Sequence, residues 1–264
     1  MVHITNFISP MNNGVTQPSL IEASDEKQYV LKCLSEGYCN GKGLFNELIA
    51  HRLGTLLGIP MPPMKILYLT SEMIESNHFF KTIEAIEGPC FASEYRSGIP
   101  NIGPPILKKI TNQCDIPAII LFDQLILNND RSENPGNLYF DKKTKKLLAI
   151  DHSHIFKQGL IWQEKDIVEF IDTSPITIEN LNGVLYRYFS PYVNGNSPFA
   201  KICQIMAKVE DKDLLALFDS VPAEWDISEA EKKIVYEFFK MQFSNVHGIM
   251  DLTKDHFKNW KGAG

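Results

Sequence analysis

The sequence predicts an α+β protein of two lobes: a small, mostly antiparallel β lobe with one or two helices, then a larger, mainly helical lobe. Three observations carry this. Short runs of strand character separated by polar turns crowd the first part of the chain. Ser97–Pro105 (SGIPNIGPP) is the stretch richest in glycine and proline and marks the boundary, giving lobes of residues 1–96 and 97–264. After Asp151 the apolar residues recur mainly at helical spacing.

Composition frames what the lobes can do. With 264 residues, 44% hydrophobic and 22% charged, the chain can bury a sizeable core. A formal net charge of -6 and the lack of a basic stripe speak against direct nucleic-acid binding. The opening residues lack a signal peptide's charged start and apolar run, and no segment has the apolar length to span a bilayer. The expectation is a cytoplasmic protein without a membrane role. Five scattered cysteines (Cys33, Cys39, Cys90, Cys114, Cys203) contain no C-x-x-C, so neither a zinc site nor a disulfide framework is expected. His152 and His154 would share a face if extended, but without further ligands nearby they read as structural or as supports behind a site.

In order, Pro18–Ala23 is extended, Ser24–Lys27 is a polar turn, and Gln28–Leu34 returns as a strand. Ahead of this hairpin lies Asn12-Asn13-Gly14-Val15-Thr16, a small-residue loop whose backbone N–H groups, with the Thr16 hydroxyl, could approach phosphate oxygens. Lys32 falls inside an apolar strand and needs a negative partner if buried. Residues 43–58 carry a helical stripe (Leu44, Phe45, Leu48, Ile49, Leu53, Leu56, Leu57) closed by Gly58 as a C-terminal cap. Glu47 lies at the edge of that stripe and is the expected partner of Lys32. Met64–Leu69 reads as a strand, Thr70-Ser71 caps a helix running to about Ile86, and Cys90–Tyr95 is a further strand. The segment joining the lobes is where an adenine ring would find backbone hydrogen bonds.

Ile116–Leu127 (IPAIILFDQLIL) is apolar, opened by Pro117, and long enough for a buried helix, with Asn128 and Asn129 suited to a left-handed exit. A polar loop, Asp130–Asn137, leads into two short strands, 138–140 and 146–150, which form a hairpin ending at Asp151. Two carboxylates, Asp130 and Asp151, thus stand at the edges of apolar scaffolding. Phosphoryl transfer needs that arrangement: one carboxylate orients the attacking hydroxyl, while a second and an amide oxygen hold magnesium. Taken alone, D-R-x-x-N reads first as an Asx-turn joining a helix to a hairpin, and it is the pair spaced around the hairpin that is more specific. Beyond Asp151, Ser197-Pro198 starts a helix to about Val209, Asp211 one to about Val221, and Ser228–Glu231 forms a capping box for a helix through about Phe243.

Gly14 and Thr16, Tyr29–Lys32, Asn46-Glu47-Leu48, Leu57–Pro62, Asn129-Asp130-Arg131, Pro135–Leu138, Ile150-Asp151-His152 and the late P-x-x-W at 222–225 together resemble a HipA-like kinase of the small stand-alone type, from about residue 10 to about residue 240. A more distant similarity is to type II phosphatidylinositol 4-kinases. The resemblance implies a two-lobed protein-kinase-like fold, ATP and Mg2+ as cofactors, and transfer of the γ-phosphate to a Ser or Thr hydroxyl of a protein substrate. A partner of the antitoxin kind, within a toxin–antitoxin or stress-control pair, also fits. By position, Gly14 and Thr16 line the nucleotide, Lys32 binds phosphates, Glu47 pairs with it, Asp130 is the catalytic base, and Asn137 and Asp151 are metal ligands. Kinase-like proteins commonly place the amide five residues after the base; here Asn134 stands at four and Asn137 at seven, and Asn137 is preferred because it immediately precedes the strand. A lipid or small-molecule kinase and a nucleotide-binding pseudokinase share these residues and stay as rival readings.

Overall fold

Strand-forming residues alternate inward and outward along Ser19–Ala23 and Gln28–Lys32, and the polar turn between them closes an antiparallel hairpin in the computed structural model, which describes residues 2–11, 14–173 and 176–262. Asn12 and Asn13 of the small-residue loop lie outside the described residues.

The chain divides into two units. The first comprises Met1–Leu48, Pro62–Arg96 and Ser220–Ile227; the second, Ile49–Met61, Ser97–Asp219 and Ser228–Gly264. Relative to a single cut after residue 96, segments 49–61 and 220–227 change places.

In the first unit, β1 (Ile4–Pro10), β2 (Ser19–Ala23), β3 (Gln28–Lys32), β4 (Met64–Leu69) and β5 (Gly88–Glu94) form an antiparallel sheet in the order β1-β2-β3-β5-β4. Ile21, Tyr29, Leu31, Leu67, Phe80 and Cys90 fill its core. Helix α1 (Gly41–Leu56) begins in this unit and ends in the second. Gly58 adopts a φ of +71°, the left-handed conformation expected of a capping glycine. The single helix expected to reach Ile86 is instead two short ones, α2 (Ser71–Ser76) and α3 (His78–Thr82). Thr70 caps the first by accepting from the Met73 N–H, whereas Asn77 interrupts it and caps the second by accepting from the Phe79 N–H. Trp225 is buried here and donates its indole N–H to the Pro89 carbonyl at 2.8 Å.

In the second unit β6 (Gly98–Pro100), β7 (Leu138–Asp141) and β8 (Leu147–Ala149) make a three-stranded antiparallel sheet. After α4 (Pro104–Leu107), every residue of α5 (Ile116–Leu125) is buried, Asp123 and Gln124 included. The left-handed exit expected at Asn128-Asn129 is taken by Leu127, at φ +49°. Its carbonyl accepts the N–H of Lys157, and its side chain is buried, so packing overrides local preference. The remaining helices are α6 (Glu164–Thr173), α7 (Val184–Phe189), α8 (Ala200–Met206), α9 (Asp211–Leu215), α10 (Glu229–Ser244) and α11 (Val246–Lys254). The helices expected to run to Val209 and Val221 end earlier, α8 at Met206 and α9 at Leu215, where a 3-10 turn at Ala216–Phe218 takes over. Helix α10 packs on α5, α6, α9 and α11, its first turn closed by the capping box between Ser228 and Glu231. Among the described residues no helix is long and apolar enough to cross a membrane.

Candidate active site

In the first unit, Lys32 ends β3 and Glu47 lies on the first half of α1. Both are buried, and Lys32 Nζ donates to Glu47 Oε1 at 2.5 Å, so the lysine has the acidic partner its burial demands. Gly14 has φ +129°, a backbone that side-chain-bearing residues rarely adopt, and the Gln17 N–H closes a turn on its carbonyl. That turn carries Thr16, only 3% exposed, whose Oγ1 has no hydrogen-bond partner among the described residues. A buried orphan hydroxyl is costly unless something comes to meet it, and a phosphate oxygen is one acceptor that would.

In the second unit, α5 delivers the chain to the loop holding Asp130. Its Oδ2 accepts the amide of Asn137 at 2.5 Å and that of Asn134 at 3.2 Å. The two asparagines differ in their other duties. Asn134 is exposed, and its Oδ1 caps the 3-10 turn Pro135–Asn137 by accepting the Gly136 N–H. Asn137 is buried at the end of that turn, and nothing among the described residues donates to its Oδ1. Strand β8 leads to Asp151, at φ +56°, whose Oδ1 accepts the Ser153 hydroxyl at 3.0 Å. Asn137 and Asp151, the expected metal ligands, offer oxygen donors, the chemistry magnesium prefers. Among the described residues no cluster of three or more His, Cys, Asp or Glu could hold a metal. Magnesium needs none when phosphates and water complete its shell, so the donor set fits.

Behind these residues lie Arg131, Asp123 and Tyr186, to which the sequence alone assigns no role. Arg131 is fully buried and paired with Asp123, with Nε 3.2 Å from each carboxylate oxygen. Burial pushes the Asp123 carboxyl up from its usual range, while Arg131, Tyr186 and Asn128 pull it back. The Tyr186 hydroxyl, itself driven well up by burial, donates to Asp123 at 3.2 Å. His152, read as structural or as a support behind a site, is buried against Arg131. The signal available was Asp123-Gln124 inside an otherwise apolar helix.

An antiparallel β unit bearing a buried Lys–Glu pair, followed by a helical unit with a D-R loop and a hairpin ending in aspartate, defines a kinase-like fold. Solved structures agree. The chain aligns with the Helicobacter pylori proinflammatory kinase CtkA at 11% identity and a TM-score of 0.59, over 96% of this chain and 97% of that one. It aligns with the Golgi casein kinase with Mn/ADP bound at 13% identity and a TM-score of 0.51, over 98% and 74%. No curated protein sequence matches. Residues 4–181 match the HipA-like kinase family, and the chain belongs to it. It is a kinase by family and fold, hence a phosphotransferase.

Proposed function

We propose that the protein transfers the γ-phosphate of ATP, with magnesium, to a serine or threonine hydroxyl of a protein. The observation that carries this reading is the buried Lys32–Glu47 pair. A buried ion pair is seldom retained for stability alone, because desolvating two charges offsets most of their attraction. Its use here is to hold an ammonium in place for the nucleotide phosphates. Gly14 and Thr16 meet the same phosphates through the turn's backbone and the orphan hydroxyl. Asp151 and Asn137 hold the metal, which when bound with ATP neutralises charge developing on the transferred group. Asn137 is preferred to Asn134 because the latter's amide oxygen already caps a turn. Asp130 receives the proton of the acceptor hydroxyl, its carboxylate aimed by the amide N–H groups of Asn134 and Asn137.

A protein acceptor and a partner of the antitoxin kind are what the resemblance to this family implies. The test is incubation with γ-labelled ATP and magnesium in the presence of a cell lysate, followed by separation of protein and lipid fractions and phosphoamino-acid analysis. Label on serine or threonine that vanishes with Asp130→Ala is expected. Label confined to lipid or small molecules would move the acceptor class, and no transfer to anything would favour a pseudokinase.

A further inference from the structure

Arg131 follows the proposed base directly, yet its own charge is spent inside the fold. We infer that Arg131, acting with His152, is a positioning residue that fixes Asp130, Asn137 and Asp151 relative to one another; this rests on the kinase reading above. A guanidinium presents its N–H donors in a rigid fork. Here Nε reaches both oxygens of Asp123, Nη1 donates to the carbonyls of Asn137 and, at 2.9 Å, Ile150, and Nη2 donates to His152 Nε2 at 2.9 Å. Every acceptor outside α5 adjoins a site residue. One carbonyl belongs to Asn137 itself, and Ile150 and His152 flank Asp151.

The anchor is α5. Asp123 is held there by Tyr186 and by the Asn128 amide at 3.2 Å, and the His152 ring stands edge-on to Phe122 with centroids 5.8 Å apart. Since arginine only donates, His152 Nε2 is the acceptor and the ring proton sits on Nδ1. Asp151, between two tethered neighbours, holds a left-handed φ of +56°, a conformation uncommon outside glycine that aspartate tolerates. Paired with Asp123, Arg131 acts through geometry and not as a phosphate clamp. Lysine, a point charge with three donors on a flexible stem, cannot reproduce the fork.

The test is calorimetric titration of ATP, with magnesium and in chelator, into wild-type protein and the Arg131→Lys, His152→Ala and His152→Gln variants, with circular dichroism to establish folding. Arg131→Lys and His152→Ala should weaken the magnesium-dependent part of binding by about 10- to 100-fold, as loss of groups that orient metal ligands does, and leave binding in chelator unchanged. His152→Gln, whose amide oxygen can accept the same bond, should restore it. If Arg131→Lys does not fold, the two His152 variants decide. Variants that melt earlier but keep wild-type magnesium dependence would overturn the inference and leave Arg131 purely structural. Wild-type protein whose nucleotide binding ignores magnesium would overturn the metal reading and this inference together.

Discussion

Asp130 and Asp151 should fail differently when removed. A metal ligand contributes already in the bound ground state, whereas a base contributes in the transition state. Asp151→Ala should therefore weaken magnesium-nucleotide binding, while Asp130→Ala should leave binding nearly intact and lower transfer by about 10²–10⁴-fold. Affinity and phosphotransfer measured side by side on the same preparations check this. Asn137→Ala should resemble a milder Asp151→Ala, and Asn134→Ala should change little. Binding lost in Asn134→Ala but kept in Asn137→Ala would transfer the ligand role to Asn134. Away from the site, Asp25 supplies a pH dependence. Its carboxyl is held down to about 2, first by the Lys65 ammonium at 2.6 Å, with help from the Tyr29 hydroxyl at 2.8 Å. A depressed carboxyl stabilises the fold above its unfolded pKa of roughly 4 and loses that contribution as pH falls through the folded value. Acid unfolding followed by circular dichroism should thus show a component between about pH 4 and pH 2 that Asp25→Asn removes.

Capping gives the sharpest prediction for a single element. Ser228 accepts the Glu231 N–H at 3.1 Å, and Glu231 returns the bond to the Ser228 N–H at 2.9 Å, so Ser228→Ala should cost about 1 kcal/mol in denaturant unfolding. A cost near zero would mean that tertiary packing alone holds the start of α10. This cap was legible because serine and glutamate at that spacing announce themselves locally, as did the β2–β3 hairpin, β4, and the glycine ending α1. Elements whose partners are remote were not. Strand β1 has a half-exposed pattern and two register shifts against β2, which blur its alternation. Strand β6 has three residues and exists because β7 pairs with it, Gly98 approaching so closely that a Cβ would lie 2.1 Å from the Phe140 carbonyl oxygen. The break at Asn77 was hidden because a capping asparagine inside a weakly periodic run reads as one more polar residue. The same division holds at the site. A lysine in an apolar strand demands an acid, and Glu47 answers it. The tie of Arg131 to Asp123, Ile150 and His152 depends on three-dimensional neighbours that no local pattern encodes.

For the molecule as a whole, the proposed ligands come from stretches far apart in sequence: Gly14, Thr16, Lys32 and Glu47 early, Asp130, Asn137 and Asp151 late. A ligand that binds only the folded chain stabilises it by mass action, whatever the order in which its parts unfold. At a nucleotide concentration of about 100 times Kd the gain is about 2.7 kcal/mol, which at roughly 2–4 °C per kcal/mol corresponds to a rise in melting temperature of about 5–10 °C. The shift should depend on magnesium, shrinking in chelator, because a polyphosphate and carboxylate ligands repel one another without a cation between them. In Asp151→Ala the difference between magnesium and chelator should disappear, leaving only the part due to Lys32 and the Gly14–Thr16 turn. Lys32→Ala should do the converse: it removes the phosphate contact and also strands Glu47 in a buried position without its cation, so the unliganded protein should melt earlier too. Melting curves of wild type and both variants, each with ATP and magnesium, ATP and chelator, or neither, separate these contributions. No upward shift for wild type at millimolar ATP and magnesium would count against nucleotide binding altogether, and with it the proposed roles of all seven residues.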